Sequence, residues 1–243
     1  VLQSSDLKPY AGAMQRLAEA GLVYPCDLTR REIEAAASAP QEGTGEVRFP
    51  PELRPPDRPS HFDDASRNWR FCTPDETVTI QDAFAGTADL RPCDSIGDFV
   101  VWTKAGGPAY QLAVVDDARQ GVTDVVRGDD LITSAARQLW LYRLLELAPP
   151  PRYWHVPLVI GEDGHRLAKR HGDTRIAWCR EQGVAPERII GLIAKWSGCE
   201  DKCEAASGRM SIEEWVEAFD VRRLPREPVV FTAKEQEWLL QKD

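Results

Sequence analysis

Residues 161–172 read GEDGHRLAKRHG, and the fold turns on how this short basic stretch joins its neighbours. It crowds together Arg166, Lys169, Arg170 and His171. The run before it, Tyr153 to Ile160, reads as a buried strand, and a helix is expected to begin near Asp173. A cationic loop between a strand and a helix can hold phosphate oxygens, and such charge stabilisation is the main protein contribution to phosphoryl or nucleotidyl transfer. Basic turns are also commonly only solvated, and taken by itself the loop favours that plainer reading.

Upstream of the loop, Val122 to Arg127 reads as a strand. Ser134 introduces a helix from Ala135 to Leu147, with Leu139, Trp140, Leu144 and Leu147 on its buried face and a triple proline to stop it. Strand, helix, strand, basic loop, helix is then the order from Val122 to Gln182. That alternation predicts a parallel α/β layer, in which ligands bind beyond the carboxyl ends of the strands. Farther upstream, Asn68 to Arg127 is mostly sheet. Trp69 to Thr73 and Thr77 to Ile80 flank a Pro-Asp turn, and Asp98 to Thr103 pairs with Tyr110 to Val115 across Lys104 to Pro108. Asp116 and Asp117 fall on a solvated turn before Gly121.

The chain opens with an amphipathic helix capped by Asp6. It carries Leu7, Tyr10, Met14, Leu17 and Ala18 on one face and is ended by Gly21. Thr29 and Glu32 form a capping-box pattern for a second helix that stops before Pro40. Pro40 to His61 is rich in proline and glycine and predicts an irregular surface excursion. Pro186 suits a first helical turn, and the helix it opens carries apolar residues through Trp196. Ser211 with Glu214 and Thr232 with Glu235 are further capping boxes, so three short helices close the chain.

With 243 residues and 42% apolar composition, the chain can bury one large core or two modest ones. It has no apolar run of membrane-span length, and its start, VLQSSDLKPY, lacks the basic and apolar regions of a signal peptide, so a soluble cytoplasmic protein is expected. Six cysteines are scattered along the chain, the pattern of reduced thiols rather than a disulfide framework; Cys199 and Cys203 read as a reduced loop pair. A net charge of -9 argues against a general nucleic-acid coat but leaves room for local basic faces.

Five ordered motifs carry a family resemblance: Gln3-Ser4-Ser5, AGLVYPC ending at Cys26, AYQLAVVDD from Ala109, VVRGDDL from Val125, and HRLAKRHG from His165. Together they resemble class I glutamyl-tRNA synthetases and, among these, the glutamyl-queuosine tRNA(Asp) synthetases, short paralogues without an anticodon-binding domain. The resemblance spans nearly the whole chain. It implies an α/β, class I synthetase nucleotide-binding (Rossmann-like) fold lacking its N-terminal half, with an inserted α+β acceptor-binding-type subdomain and a helical C-terminal part. In that arrangement 1–21 is a helix of the catalytic domain and 22–121 the inserted subdomain with adjoining strands. Residues 122–185 form the second half of the catalytic domain, and 186–243 the helical C-terminal region.

The resemblance also implies roles. Arg166 to Arg170 matches the KMSKS-type signature, so Lys169 would be the catalytic lysine holding ATP phosphates, with Arg166 and Arg170 beside it. Arg166 stands for the usual first lysine and Ala168 for the usual serine, and a guanidinium is not equivalent to an ammonium at a phosphate. Tyr110 and Arg127 match the pair that contacts glutamate, and a guanidinium suits bidentate pairing with a carboxylate. Without the family, Tyr110 reads equally as a core aromatic and Arg127 as a surface partner of Asp129 or Asp130. The implied activity is ATP-dependent formation of glutamyl-adenylate and transfer to tRNA, with tRNA(Asp) and its queuosine favoured, Mg2+ accompanying ATP, a monomeric enzyme and no membrane partner.

Two alternatives remain open on the residues. A truncated ordinary glutamyl-tRNA synthetase fits the SMS-like segment Ser211 to Phe219, and a non-catalytic tRNA-binding paralogue fits the lack of any H-x-G-H pattern. The chain begins downstream of the family's ATP-cradling HIGH-type motif, so by itself it is expected to fail in ATP–pyrophosphate exchange. Zinc is not expected: many members use a Cys-x-Cys pair with a downstream tyrosine and cysteine, whereas Cys26 is followed by Asp27 and Leu28, and Arg48 to Leu53 offers Phe49 but no cysteine.

Overall fold

The computed structural model describes residues 3–37, 47–167, 175–199 and 208–241. The beginning of the Pro40–His61 excursion, the residues Lys169, Arg170 and His171, the expected helix start at Asp173, and Cys203 lie outside the described residues. The chain divides into two compact units, Val1–His155 and Val156–Asp243.

In the first unit, α1 (Lys8–Glu19) buries Tyr10, Ala13, Met14, Leu17 and Ala18 on one face. Gly21, at φ +65°, takes the left-handed conformation after it, which a residue without a Cβ adopts without strain. Asp6 does not cap this helix; it pairs with Arg119 at 2.9 Å, and Leu7 occupies the N-cap position without a side-chain bond. β1 (Val23–Pro25) follows, then α2 (Arg30–Ala36), which starts with the expected Thr29–Glu32 capping box. β2 (Trp69–Phe71) pairs antiparallel with β1.

β3 (Val78–Asp82) and β4 (Gly86–Leu90) form a hairpin. The sequence reading passed over β4. The turn is held by the Asp82 carboxylate, which accepts from the backbone N–H groups of Phe84 at 2.9 Å and Ala85 at 2.6 Å, the Asx-type geometry that replaces a backbone turn bond. A short α3 (Pro92–Ser95) precedes β5 (Phe99–Thr103) and the two-residue β6 (Gly107–Pro108).

Tyr110 to Val115 is not the partner strand of β5. Tyr110–Ala113 is a 3-10 turn that runs directly into α4 (Val114–Gln120). The apolar run suggested a strand, but two features favour a helix. Asp116 and Asp117 sit in the first turn, where the exposed N–H groups favour negative charge, and Gly121 at φ +67° closes the last turn with bonds to Ala118 and Asp117. The same geometry removes Asp116 from the expected solvated turn: it is buried and paired with Arg119 at 2.8 Å.

β7 (Asp124–Gly128), α5 (Ile132–Leu144) and β8 (Arg152–Val156) complete the unit. The strands form two four-stranded sheets, one ordered β1-β2-β5-β6 and the other β4-β3-β8-β7. β3 and β8 are parallel, and β7 lies next to β8 in the same sheet. The main core gathers Trp69, Phe71, Ile80, Val101, Leu112, Trp140 and Leu141 among its buried side chains. A smaller apolar cluster forms around Tyr24, Cys26, Ile33, Phe49 and Cys72, with Leu28 and Leu53 packed against it.

The single strand expected from Tyr153 to Ile160 is two. Pro157 cannot donate to a ladder, and after it β9 (Val159–Gly161) pairs in parallel with β10 (Val229–Phe231) in the second unit. That unit also holds α6 (Ile176–Glu181), α7 (Pro186–Trp196), α8 (Ile212–Ala218) and α9 (Ala233–Leu240). Ser211 and Thr232 make the expected capping boxes. In α7, a Cβ at Gly191 would stand 1.9 Å from the carbonyl oxygen of Gly208, so the backbone approach there requires glycine. Among the described residues, no helix is long and apolar enough to cross a membrane.

Candidate functional site

Three strands of the second sheet end at one polar cluster. Asp82 is the last residue of β3, Arg127 lies next to the end of β7, and His155 next to the end of β8. Asp82 continues the inward face that Val78 and Ile80 begin on β3, and His155 follows Tyr153 on the inward face of β8. Strand periodicity therefore drives a carboxylate and an imidazole into the protein, where each needs partners.

Arg127 donates from Nε to His155 Nε2 at 3.0 Å and from Nη1 to Gln138 Oε1 at 2.9 Å. Nη1 also donates to the Tyr110 hydroxyl at 3.3 Å. Its Cζ lies 5.2 Å from the centroid of the Tyr153 ring. Nη2 is buried and has no hydrogen-bond partner among the described residues. Tyr110 is 56% exposed, so it is not the core aromatic that a bland reading of the sequence allows. The hydrogen bonds of Arg127 go to these groups rather than to Asp129 or Asp130 on the neighbouring turn. The structure thus brings together Tyr110 and Arg127, the two residues expected at an amino-acid substrate.

His155 and Asp82 escaped the sequence reading, as did Gln138. For Asp82 and His155 the signal was a polar residue at an inward position near a strand's carboxyl end, legible only once register was known, whereas Gln138 is a buried polar residue of the α5 helix. The side chains of Asp82 and His155 are fully buried, with His155 Nδ1 2.6 Å from Asp82 Oδ2. Burial works against the Asp82 carboxylate, yet bonds from the backbone of Ala85 and from the His155 ring and backbone outweigh it and hold its pKa below the usual carboxylate range. Asp117 is pushed upward by burial, with the Arg127 charge pulling the other way.

Beside Tyr110 a groove of ≈ 950 Å³ opens, lined among others by Gln111, Asp129, Asp130, Ser134 and Arg137. Gln111 is 6% exposed and donates to Ser134 Oγ at 3.1 Å, while its Oε1 has no partner among the described residues. In the second unit, the basic stretch begins as a tight turn in which Gly161 donates to the His165 carbonyl at 2.8 Å, with Gly164 at φ +73°. Arg166 bridges back to Ile160 and is exposed.

The residues present do not fit a zinc ion at Cys26. Leu28, Phe49 and Leu53 pack with it in an apolar cluster whose second thiol is Cys72, and among the described residues no three ligand atoms of metal-binding spacing include either cysteine. Among the described residues, Asp75, Cys93 and Asp94 alone have metal-ligand spacing, and Arg91 already pairs with both carboxylates. The five described cysteines are free thiols.

An open α/β sheet with an arginine and a tyrosine at its ligand edge suits recognition of a carboxylate substrate. The sequence profile of class I tRNA synthetases (E and Q), catalytic domain, matches residues 1–238. The chain belongs to this family, whose members are ligases. It is 42% identical over 241 residues to the glutamyl-Q tRNA(Asp) synthetase of Symbiobacterium thermophilum, covering 96% of this chain and 72% of that one. A protein of the same name from Rhodopirellula baltica is 43% identical over 254 residues, with coverage of 95% and 75%. Glutamate–tRNA ligase 2 of Halorhodospira halophila is 32% identical over 244 residues, with coverage of 98% and 50%. Among solved structures, the glutamate-tRNA synthetase of Elizabethkingia anophelis superposes with a TM-score of 0.73 at 22% identity, over 98% of this chain and 53% of that one. That likeness concerns the fold alone, and the chain spans about half the length of that structure.

Proposed function

We propose that the full-length protein activates glutamate with ATP and transfers it to tRNA, with the queuosine of tRNA(Asp) as the acceptor. The observation that carries the reading is the Arg127 guanidinium, held on two sides by buried partners while its remaining buried nitrogen, Nη2, has none, beside an exposed Tyr110. A carboxylate of glutamate would accept from the exposed Tyr110 hydroxyl and lie beside the Arg127 charge. The names of the more similar relatives support queuosine of tRNA(Asp) as the acceptor.

In the first step, a glutamate α-carboxylate oxygen attacks the α-phosphorus of ATP, and the bond to pyrophosphate breaks. In the second, a nucleoside hydroxyl attacks the acyl carbon and AMP leaves with the electron pair. Neither step needs a protein nucleophile; positioning and charge neutralisation suffice. Lys169, Arg166 and Arg170 are assigned to the ATP phosphates, Tyr110 and Arg127 to glutamate. Mg2+ bound to the triphosphate would share its charge. The groove beside Tyr110 offers room for a nucleoside.

A second reading, an ordinary glutamyl-tRNA synthetase that charges the 3′ end, is favoured by the likeness to glutamate–tRNA ligase 2. Charging tRNA(Asp) with labelled glutamate and mapping the label on ribonuclease fragments separates the two. Label on the anticodon fragment, dependent on queuosine, is expected; label on the 3′-terminal fragment would replace the first reading with the second.

A further inference from the structure

We propose that Asp82 and His155 form a positioning pair that fixes the orientation of Arg127 at the glutamate site, an inference that rests on the assignment of Arg127 to glutamate. Arginine Nε is a donor and never an acceptor. Its 3.0 Å contact with His155 Nε2 therefore requires the imidazole lone pair at Nε2. The ring proton then sits on Nδ1, facing Asp82 Oδ2 at 2.6 Å.

Asp82 is itself immobilised. Its carboxylate accepts from the backbone N–H of His155 at 3.1 and 3.2 Å, as well as from Phe84 and Ala85 in the β3–β4 turn. The hairpin thus fixes the carboxylate, the carboxylate fixes the ring and its tautomer, and the ring fixes the guanidinium. Tyr153 supports the same geometry, since its ring stacks on His155 with centroids 5.9 Å apart and an interplanar angle of 14°. Gln138 takes one Nη1 proton from the helix side. The remaining nitrogen, Nη2, is buried and has no hydrogen-bond partner among the described residues.

A purely structural role explains less. Buried polar groups are a weak source of stability compared with apolar residues of similar volume. Here they converge from three strands at the carboxyl edge of the sheet, where ligands of such sheets bind, and all terminate on a single arginine. Supporting bonds that hold a site side chain to within a fraction of an ångström are the common requirement of a preorganised site.

The test uses the full-length protein, including any residues that precede Val1, and glutamate-dependent ATP–pyrophosphate exchange. His155→Asn keeps a donor toward Asp82 but removes the acceptor for Arg127; His155→Gln keeps an acceptor near the Nε2 position. The Asn variant is expected to raise the glutamate KM by roughly ten- to a hundredfold, by analogy with the loss of groups that orient the ligands of a metal site, with the ATP KM unchanged. The Gln variant is expected to recover most of that loss. On the unaltered protein, long-range nitrogen–proton correlation should place the His155 proton on Nδ1 and the lone pair on Nε2. That spectrum reports on the pair even if a variant fails to fold.

A proton on Nε2, or Asn and Gln variants that fold and share one glutamate KM, would overturn the proposal. Arg127→Lys separates the two levels of inference. If it leaves the glutamate KM unchanged, the assignment of Arg127 to glutamate fails, and the positioning role fails with it. If it raises that KM while both His155 variants behave as the unaltered protein does, the positioning role alone fails.

Discussion

Arg127 shows how one side chain acquires a role from its surroundings. Its sequence context, VVRGDDL, places an arginine beside two carboxylates, and the obvious inference from spacing is a surface ion pair of small value. Folding instead directs it to His155, Gln138 and Tyr110. At the other end of β7, Asp124 receives Arg152 Nε at 2.9 Å and Trp154 Nε1 at 3.0 Å. These bonds, Arg152 first, hold its pKa down to about 2. A depressed carboxylate contributes stability that is fully present above its unfolded pKa of about 3.9 and is lost as pH falls toward the folded value. The difference in Tm between the unaltered protein and Asp124→Asn should therefore be constant above about pH 5 and shrink toward zero near pH 2. Thermal melts across that range check it; a difference that grows on acidification would contradict the sign.

At the scale of elements, the segment around Cys26 is built on apolar packing. β1, α2 and the stretch around Phe49 enclose a small apolar cluster in which Phe49 is 1% exposed, with the Arg70 guanidinium 4.3 Å over its ring. Asp98 anchors the neighbouring end of β5 by accepting from the Tyr24 hydroxyl at 2.6 Å and from two Arg54 nitrogens at 2.8 and 2.6 Å. If packing holds this region, a chelator leaves the melting temperature unchanged, whereas Phe49→Ala costs about 3–5 kcal/mol, the usual range for removing a buried aromatic. Calorimetry with and without chelator, and denaturant melts of the variant, provide the measurements. The two capping boxes at Ser211 and Thr232 were legible from local spacing because each is complete within four residues. The helix at Val114–Gln120 was not, since an apolar run of that length fits a strand or a buried helix equally well.

For the molecule as a whole, a net charge of -9 sets the terms on which it meets RNA. Overall electrostatics oppose binding, so affinity has to come from local basic faces that displace counterions. Binding to tRNA should weaken about tenfold or more between 50 and 200 mM salt, as expected when even a few phosphates are neutralised. Filter binding over that range tests this, and salt-independent affinity would exclude phosphate contacts as its source. The sequence by itself determined the capping boxes at Thr29, Ser211 and Thr232, the α/β alternation from Val122 onward and the ordered motifs that define the family, because these depend on residues near one another in the chain. It also named Tyr110 and Arg127. Only tertiary structure decided that strand and helix trade places at Tyr110, that Pro157 splits one apolar run between two sheets, and that Asp82, distant in sequence, meets His155 behind Arg127. Those outcomes depend on strand order and register, and a buried carboxylate, imidazole and guanidinium are tolerated only where register lets each satisfy the next.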